Sequence, residues 1–156
     1  MAYEFSADEI FAMAEEIEKN GAKFYSDAAA KVDDADNKQF LEELAAMERN
    51  HEKVFAMLRS DLAEELKNSS TFDPEGETGQ YLKSLADMRV FFKKEMDFSS
   101  MQSIIKDAIV AEKDSIVFYL GMKELVDSKD GKDKIDVIIK EEMTHVTVLT
   151  NRLAKA

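Results

Sequence analysis

Cysteine is absent from the 156 residues. Disulfides, iron–sulfur clusters and a thiol nucleophile are thereby excluded. Proline occurs once and glycine five times. So few breakers, beside abundant Glu, Lys, Leu and Ala, point to long helices. Nor does apolar–polar alternation of strand period run for any length. Basic residues are scarce, 21 Lys and Arg against 33 Asp and Glu, for a formal net charge of −12. Such a surface repels phosphates and argues against a nucleic-acid partner. The acid excess otherwise reads as solvated helix faces. No apolar run approaches the roughly 18 residues that span a bilayer, so no membrane partner is expected. The first twenty residues hold Glu4, Asp8, Glu9, Glu15, Glu16 and Glu18. A signal peptide needs a basic start and an apolar stretch instead. A cytoplasmic location is the expectation.

The length suits one domain with a sizeable core. Ser6-Ala7-Asp8-Glu9 reads as a capping box that opens a first helix, ending near Val32 before an Asp-rich turn. Phe11, Ala14, Ala22, Tyr25 and Ala29 recur along it at helical spacing. A second helix runs from about 37 to 66, burying Leu41, Leu44, Ala45, Phe55 and Leu58. The segment from Asn68 to Gly76 reads as a loop, and 80 to 91 as a short helix. A serine near Ser99-Ser100 can cap a third long helix, about 101 to 126. Asp127 to Gly131 reads as a turn, and a fourth long helix covers about 132 to 155. The organisation is two helical hairpins, about 6–67 and 100–155, joined by a crossover of about 68–99.

The hairpins repeat one another at an offset of 94 residues. Glu18-Lys19-Asn20-Gly21-Ala22-Lys23-Phe24-Tyr25 aligns with Glu112-Lys113-Asp114-Ser115-Ile116-Val117-Phe118-Tyr119. Glu48-Arg49-Asn50-His51 aligns with Glu142-Met143-Thr144-His145, and Leu41, Leu44 and Val54 find Ile135, Ile138 and Val148. Each half is one helical hairpin of a single design. Glu18 and Glu48 are 30 residues apart, as are Glu112 and Glu142. The midpoints of these intervals fall at the two turns. A hairpin folded there sets its two Glu at one height, about 20 Å from the turn.

Positions i and i+3 share a helix face. A carboxylate and an imidazole at that spacing, as in Glu48/His51 and Glu142/His145, can reach a single ion. All six residues lie on apolar stripes. Four buried, unpaired carboxylates would cost several kcal/mol each. Two divalent cations balance four carboxylates, and neutral histidines complete the set. Both histidines of the chain carry this pattern, which makes a chance origin remote. The oxygen-rich set with two imidazoles suits iron or manganese; zinc fits it without redox chemistry. A decayed duplicate with no metal is the bland alternative.

At these residues the chain resembles the rubrerythrin family of the ferritin-like di-iron superfamily. Glu18 to Tyr25 resembles that family's first ligand helix, and Tyr81 to Asp87 with Val90-Phe91 the crossover of its short members. The resemblance implies an all-α antiparallel four-helix bundle with a long crossover containing a short helix. It also implies two iron ions held by Glu18, Glu48, His51, Glu112, Glu142 and His145. Two departures stand out. Rubrerythrins proper end in a four-Cys rubredoxin domain, and this chain has no Cys. They also carry an extra Glu three residues after the third-helix ligand, where this chain has Ser115. That extra Glu supports a carboxylate shift in the family. The remaining six-residue set also resembles the bacterioferritin site.

Tyr25 and Tyr119 lie two turns beyond Glu18 and Glu112 on the same face. Each is either a hydrogen-bond partner of a metal carboxylate or a core aromatic bonded elsewhere. Glu15 and Glu52, at i−3 and i+4 from ligands, read as solvent-facing, with a spare ligand or proton relay as the sharper alternative. Met143 follows a ligand Glu, as a haem-ligating Met does in bacterioferritin, but core packing is the expected role. The other Met and Phe residues read as core filling. The expected activity is reduction of hydrogen peroxide, with dioxygen as another oxidant and an external donor protein such as rubredoxin returning electrons. A ferroxidase or iron-storage protein and a manganese catalase-like dismutase are the alternatives. A homo-oligomer is expected, a dimer by preference.

Overall fold

The computed structural model of the chain describes residues 7–66, 77–87, 96–126 and 128–155. Among the described residues five helices follow in order: α1 (Ala7–Lys31), α2 (Ala35–Leu66), α3 (Glu77–Asp87), α4 (Met101–Glu124) and α5 (Lys129–Lys155). Among the described residues there is no strand, and no helix is long and apolar enough to cross a membrane. Ser6 and the segment 67–76, where a cap and a loop are expected, lie outside the described residues, as do 88–95 and Asp127.

The caps explain where helices begin. Asp34 accepts a hydrogen bond from the Asn37 N–H at 2.9 Å through its side chain, so α2 starts two residues earlier than its apolar stripe suggests. Ser100 caps α4, accepting from the Ser103 N–H at 3.0 Å. The expected turn over 127–131 is shorter than read from the sequence. Ser128 accepts from the Gly131 N–H at 3.0 Å, which puts Gly131 inside the first turn of α5. Its role is space rather than a break. A Cβ on Gly131 would meet Val126 Cγ1 at 2.7 Å and Ser128 Oγ at 2.8 Å. Gly131→Ala is therefore expected to lower stability by about 1–2 kcal/mol, overpacking outweighing the gain in helix propensity. Urea unfolding of the variant measures this; an increase in stability would contradict the crowding.

Cross-helix contacts fix the directions. On α1 and α2, Arg59 reaches Asp8 at 2.8 Å while Arg49 reaches Ser26 at 2.7 Å, so low numbers meet high ones. On α4 and α5, Lys123 pairs with Asp136. On α2 and α5, Arg152 reaches Asp36 at 2.8 Å while His51 faces Glu142. On α1 and α4, Tyr25 meets Glu112 and Tyr119 meets Glu18. Every neighbouring pair is antiparallel, with α2 and α4 parallel across the crossover. α3 lies on α4, with Leu82 fully buried in the core.

The core is divided in two. One cluster gathers Phe11, Ile17, Phe55, Leu58, Phe118, Met122 and Ile138 among others. The other gathers Phe24, Leu41, Leu44, Ile104, Ala108 and Leu149. Every helix of the bundle leaves one cluster and enters the other, and the gap between them falls at the same height on all four. The expected core stripes on the first two helices are buried throughout. The general reading of Met as core filling is corrected: Met57 is 57% exposed, and Met47 and Met143 are also exposed.

Candidate metal centre

The gap between the apolar clusters holds Glu18 from α1, Glu48 and His51 from α2, Glu112 from α4, and Glu142 and His145 from α5. All six are buried, at 1–2% exposure. The sequence dictates this layer: residues 30 apart in each hairpin meet across the fold, and i, i+3 pairs face inward from α2 and α5.

Two overlapping groups form within the layer. Glu18, Glu48, His51 and Glu142 offer atoms that all lie within 4.8 Å of one another, and so do Glu48, Glu112, Glu142 and His145. Glu48 and Glu142 belong to both. Both imidazoles turn Nδ1 inward. His51 Nδ1 lies 2.9 Å from Glu142 Oε1 and 3.6 Å from Glu18 Oε1. His145 Nδ1 lies 3.3 Å from Glu142 Oε2 and 3.5 Å from both Glu48 Oε1 and Glu112 Oε1. The rings stand 5.9 Å apart, nearly parallel.

Burial sets the electrostatics. It pushes the Glu48 carboxyl well above the usual carboxylate range, helped by the charges of Glu112, Glu142 and Glu18. Burial and then Glu142 push Glu112 up to about 7. Burial works against the Glu18 carboxylate as well, but hydrogen bonds with Glu48 and His51 outweigh it and hold this group low. The imidazoles go the other way. Burial disfavours their charge, yet Glu142 and Glu18 raise His51 to about 11, and Glu112 and Glu142 raise His145 to about 9. Protons thus supply the positive charge that four crowded carboxylates demand.

They do not satisfy the site. Glu18 Oε2, Glu48 Oε1, Glu112 Oε2, Glu142 Oε2 and His145 Nδ1 are buried without a hydrogen-bond partner. Each such group costs about 1–3 kcal/mol. Oxygen and imidazole donors converging from four helices, with one lone pair after another unused, fit a pair of divalent cations. Glu18 with His51 and Glu112 with His145 would serve one cation each, and Glu48 and Glu142 would be shared.

Two tyrosines brace the layer crosswise. The Tyr25 hydroxyl donates to Glu112 Oε1 at 2.6 Å, and the Tyr119 hydroxyl to Glu18 Oε1 at 2.7 Å. Each tyrosine serves the carboxylate of the opposite helix, not its own. Burial and the neighbouring carboxylates push both phenols well above their ordinary value, so the hydroxyl protons stay in place. Ser115 is buried and donates to the Ala111 carbonyl at 2.9 Å, adding no carboxylate.

Neither group of candidate ligands includes Glu15 or Glu52. Glu15 is occupied by Arg59 at 2.9 Å. Met143 is 47% exposed, against the expected core role. One residue beyond Glu142 on a 3.6-residue helix, it is turned away from the inward face. Sequence reading missed two residues that touch the histidines. His51 Nε2–H donates to Glu141 Oε2 at 2.5 Å, and His145 Nε2 faces Met47 Sδ at 3.4 Å. The 94-residue offset pairs Met47 with Glu141, each just before a shared Glu, and that was the signal available.

The fold and this layer together define an all-α, ferritin-like carboxylate bundle. A family model described as rubrerythrin matches residues 9–153, and the chain belongs to the rubrerythrin family. A solved structure from Thermotoga maritima, described as a ferritin-like diiron-carboxylate protein, is similar with a TM-score of 0.71. It is 21% identical, and the match covers 99% of this chain and 98% of that one. No curated protein matches the chain.

Proposed function

We propose that this chain reduces hydrogen peroxide to water at a two-iron centre held by Glu18, Glu48, His51, Glu112, Glu142 and His145. The observation that carries the reading is the pair of overlapping four-residue groups sharing Glu48 and Glu142. Two iron ions in such a site supply the two electrons that peroxide reduction requires. The residues themselves do the rest. Four carboxylates balance the charge of two divalent ions. Tyr25 and Tyr119 hold Glu112 and Glu18 in position through their hydroxyl protons. The apolar clusters above and below keep bulk water from the layer. The chain has no cysteine and so no iron–sulfur centre within it. An external donor protein such as rubredoxin returns the electrons, and a homodimer is the proposed assembly.

Anaerobic loading with two ferrous ions per chain, followed by peroxide, tests the proposal. Rapid oxidation with one peroxide consumed per two ferrous ions is expected. Oxidation no faster than that of free ferrous ion would refute it. Dioxygen evolution would indicate a dismutase instead, and many irons per chain in a large assembly would indicate storage.

A further inference from the structure

The two halves of the site are not equivalent where they meet the outer nitrogens of the histidines. We infer that Glu141 is a positioning residue that makes the Glu18/His51 position the first to take a metal ion, with the Glu112/His145 position second. The inference rests on reading the six residues as a two-metal site, and not on peroxide chemistry.

The repeat supplies the comparison. The ligands match across it, Glu18 with Glu112, Glu48 with Glu142 and His51 with His145, and so do the crossed tyrosines. At the residue just before each shared Glu the halves part: Glu141 on α5 and Met47 on α2. Each reaches across to the histidine of the facing helix. The Glu141 carboxylate accepts the His51 Nε2–H at 2.5 Å. Met47 presents a thioether to His145 Nε2 at 3.4 Å.

These contacts differ in kind. A carboxylate is a strong acceptor that fixes a proton on Nε2, makes Nδ1 the nitrogen that takes a metal in place of its own proton, and makes that nitrogen a better donor. A thioether is a weak acceptor and does little of either. Such outer contacts are typically worth 10–100-fold in metal affinity. Both side chains are partly exposed, Glu141 at 37% and Met47 at 39%. Exchanging them disturbs the rim of the bundle and leaves its core alone.

Zinc binding to metal-free protein tests this by NMR of the imidazole nitrogens. The chain's two histidines give two resolvable ring systems. At one equivalent of zinc, the His51 signals are expected to move first, with His145 following as the second equivalent is added. Glu141→Met should weaken the first step by about 10–100-fold. The double variant Met47→Glu/Glu141→Met, which carries the carboxylate to the other histidine, should reverse the order. A general structural role for Glu141 would not produce that reversal. If one equivalent of zinc shifts both histidines equally, or the exchange leaves His51 first, the inference is overturned. If zinc binds neither position, the two-metal reading itself falls with it. Circular dichroism of each variant confirms folding, and Met47→Glu alone, which should tighten the second step, provides an independent arm.

Discussion

Glu48→Ala is expected to weaken both metal positions at once, by about 100-fold each. Glu48 belongs to both groups of converging ligands. Four protein ligands together contribute about 10–16 kcal/mol to a well-formed divalent site, or roughly 3 kcal/mol apiece. That converts to about two powers of ten in affinity. Glu18→Ala provides the contrast, because Glu18 belongs to one group alone. It should weaken one step and leave the other close to its original value. Calorimetric titration with cobalt(II) reads both steps. If Glu48→Ala spared either step, Glu48 would not be shared and the overlapping geometry would be misread. The variant should remain folded, since it removes a carboxyl that burial and three neighbouring acids disfavour.

Metal loading should raise the melting temperature by roughly 15–30 °C, and by more at high pH than at low. At free metal a thousandfold above the dissociation constant, each ion adds about 4 kcal/mol. Two ions add about 8 kcal/mol, and a chain of this size shifts by about 2–4 °C per kcal/mol. The pH dependence follows from the protons held in the metal-free layer. His51 rises from 6.5 to about 11, His145 from 6.5 to about 9, and Glu112 from 4.5 to about 7. The folded layer therefore binds more protons than the unfolded chain. Their stabilisation is complete below the lower value of each pair and is lost as pH rises through the upper one. Metal-free protein should melt at progressively lower temperature from pH 6 to 9, chiefly through His51 and His145, with Glu112 adding to the fall up to about pH 7. Metal replaces those protons, so the gap between loaded and metal-free protein widens over the same range. Scanning calorimetry across that range checks both parts; a metal-free melting temperature that climbs with pH would contradict the proton-filled layer.

Much of this was legible because hairpin geometry is simple. Two residues 30 apart, with a turn at their midpoint, must meet, and the Asp33 and Val126 regions do interrupt the helices there. The i, i+3 spacing then set one imidazole beside each shared carboxylate. Helix starts were less legible, because caps override stripes. Asp34 and Ser128 draw α2 and α5 back beyond their first buried residues. Gly131 looked like a breaker because composition cannot distinguish a glycine needed for φ from one needed for space. Contacts between helices were the least legible. Spacing put Tyr25 on the Glu18 face, but the register between α1 and α4 decided that its hydroxyl would serve Glu112. Glu141 and Met47 escaped for the same reason, since each acts on a histidine of another helix.

The crossed tyrosines have a mechanical consequence. Tyr25 and Tyr119 point opposite ways along antiparallel helices, each gripping the other helix's carboxylate. Sliding α1 along α4 one way stretches both bonds together and the other way drives both hydroxyls into their carboxylates, and a slip of one helical turn, about 5.4 Å, breaks both. Two bonds that lengthen and shorten together work as one gauge, which reads true at a single alignment of the hairpins. The gauge lies inside the layer it calibrates, so any strain that displaces a hairpin is felt first at the carboxylates.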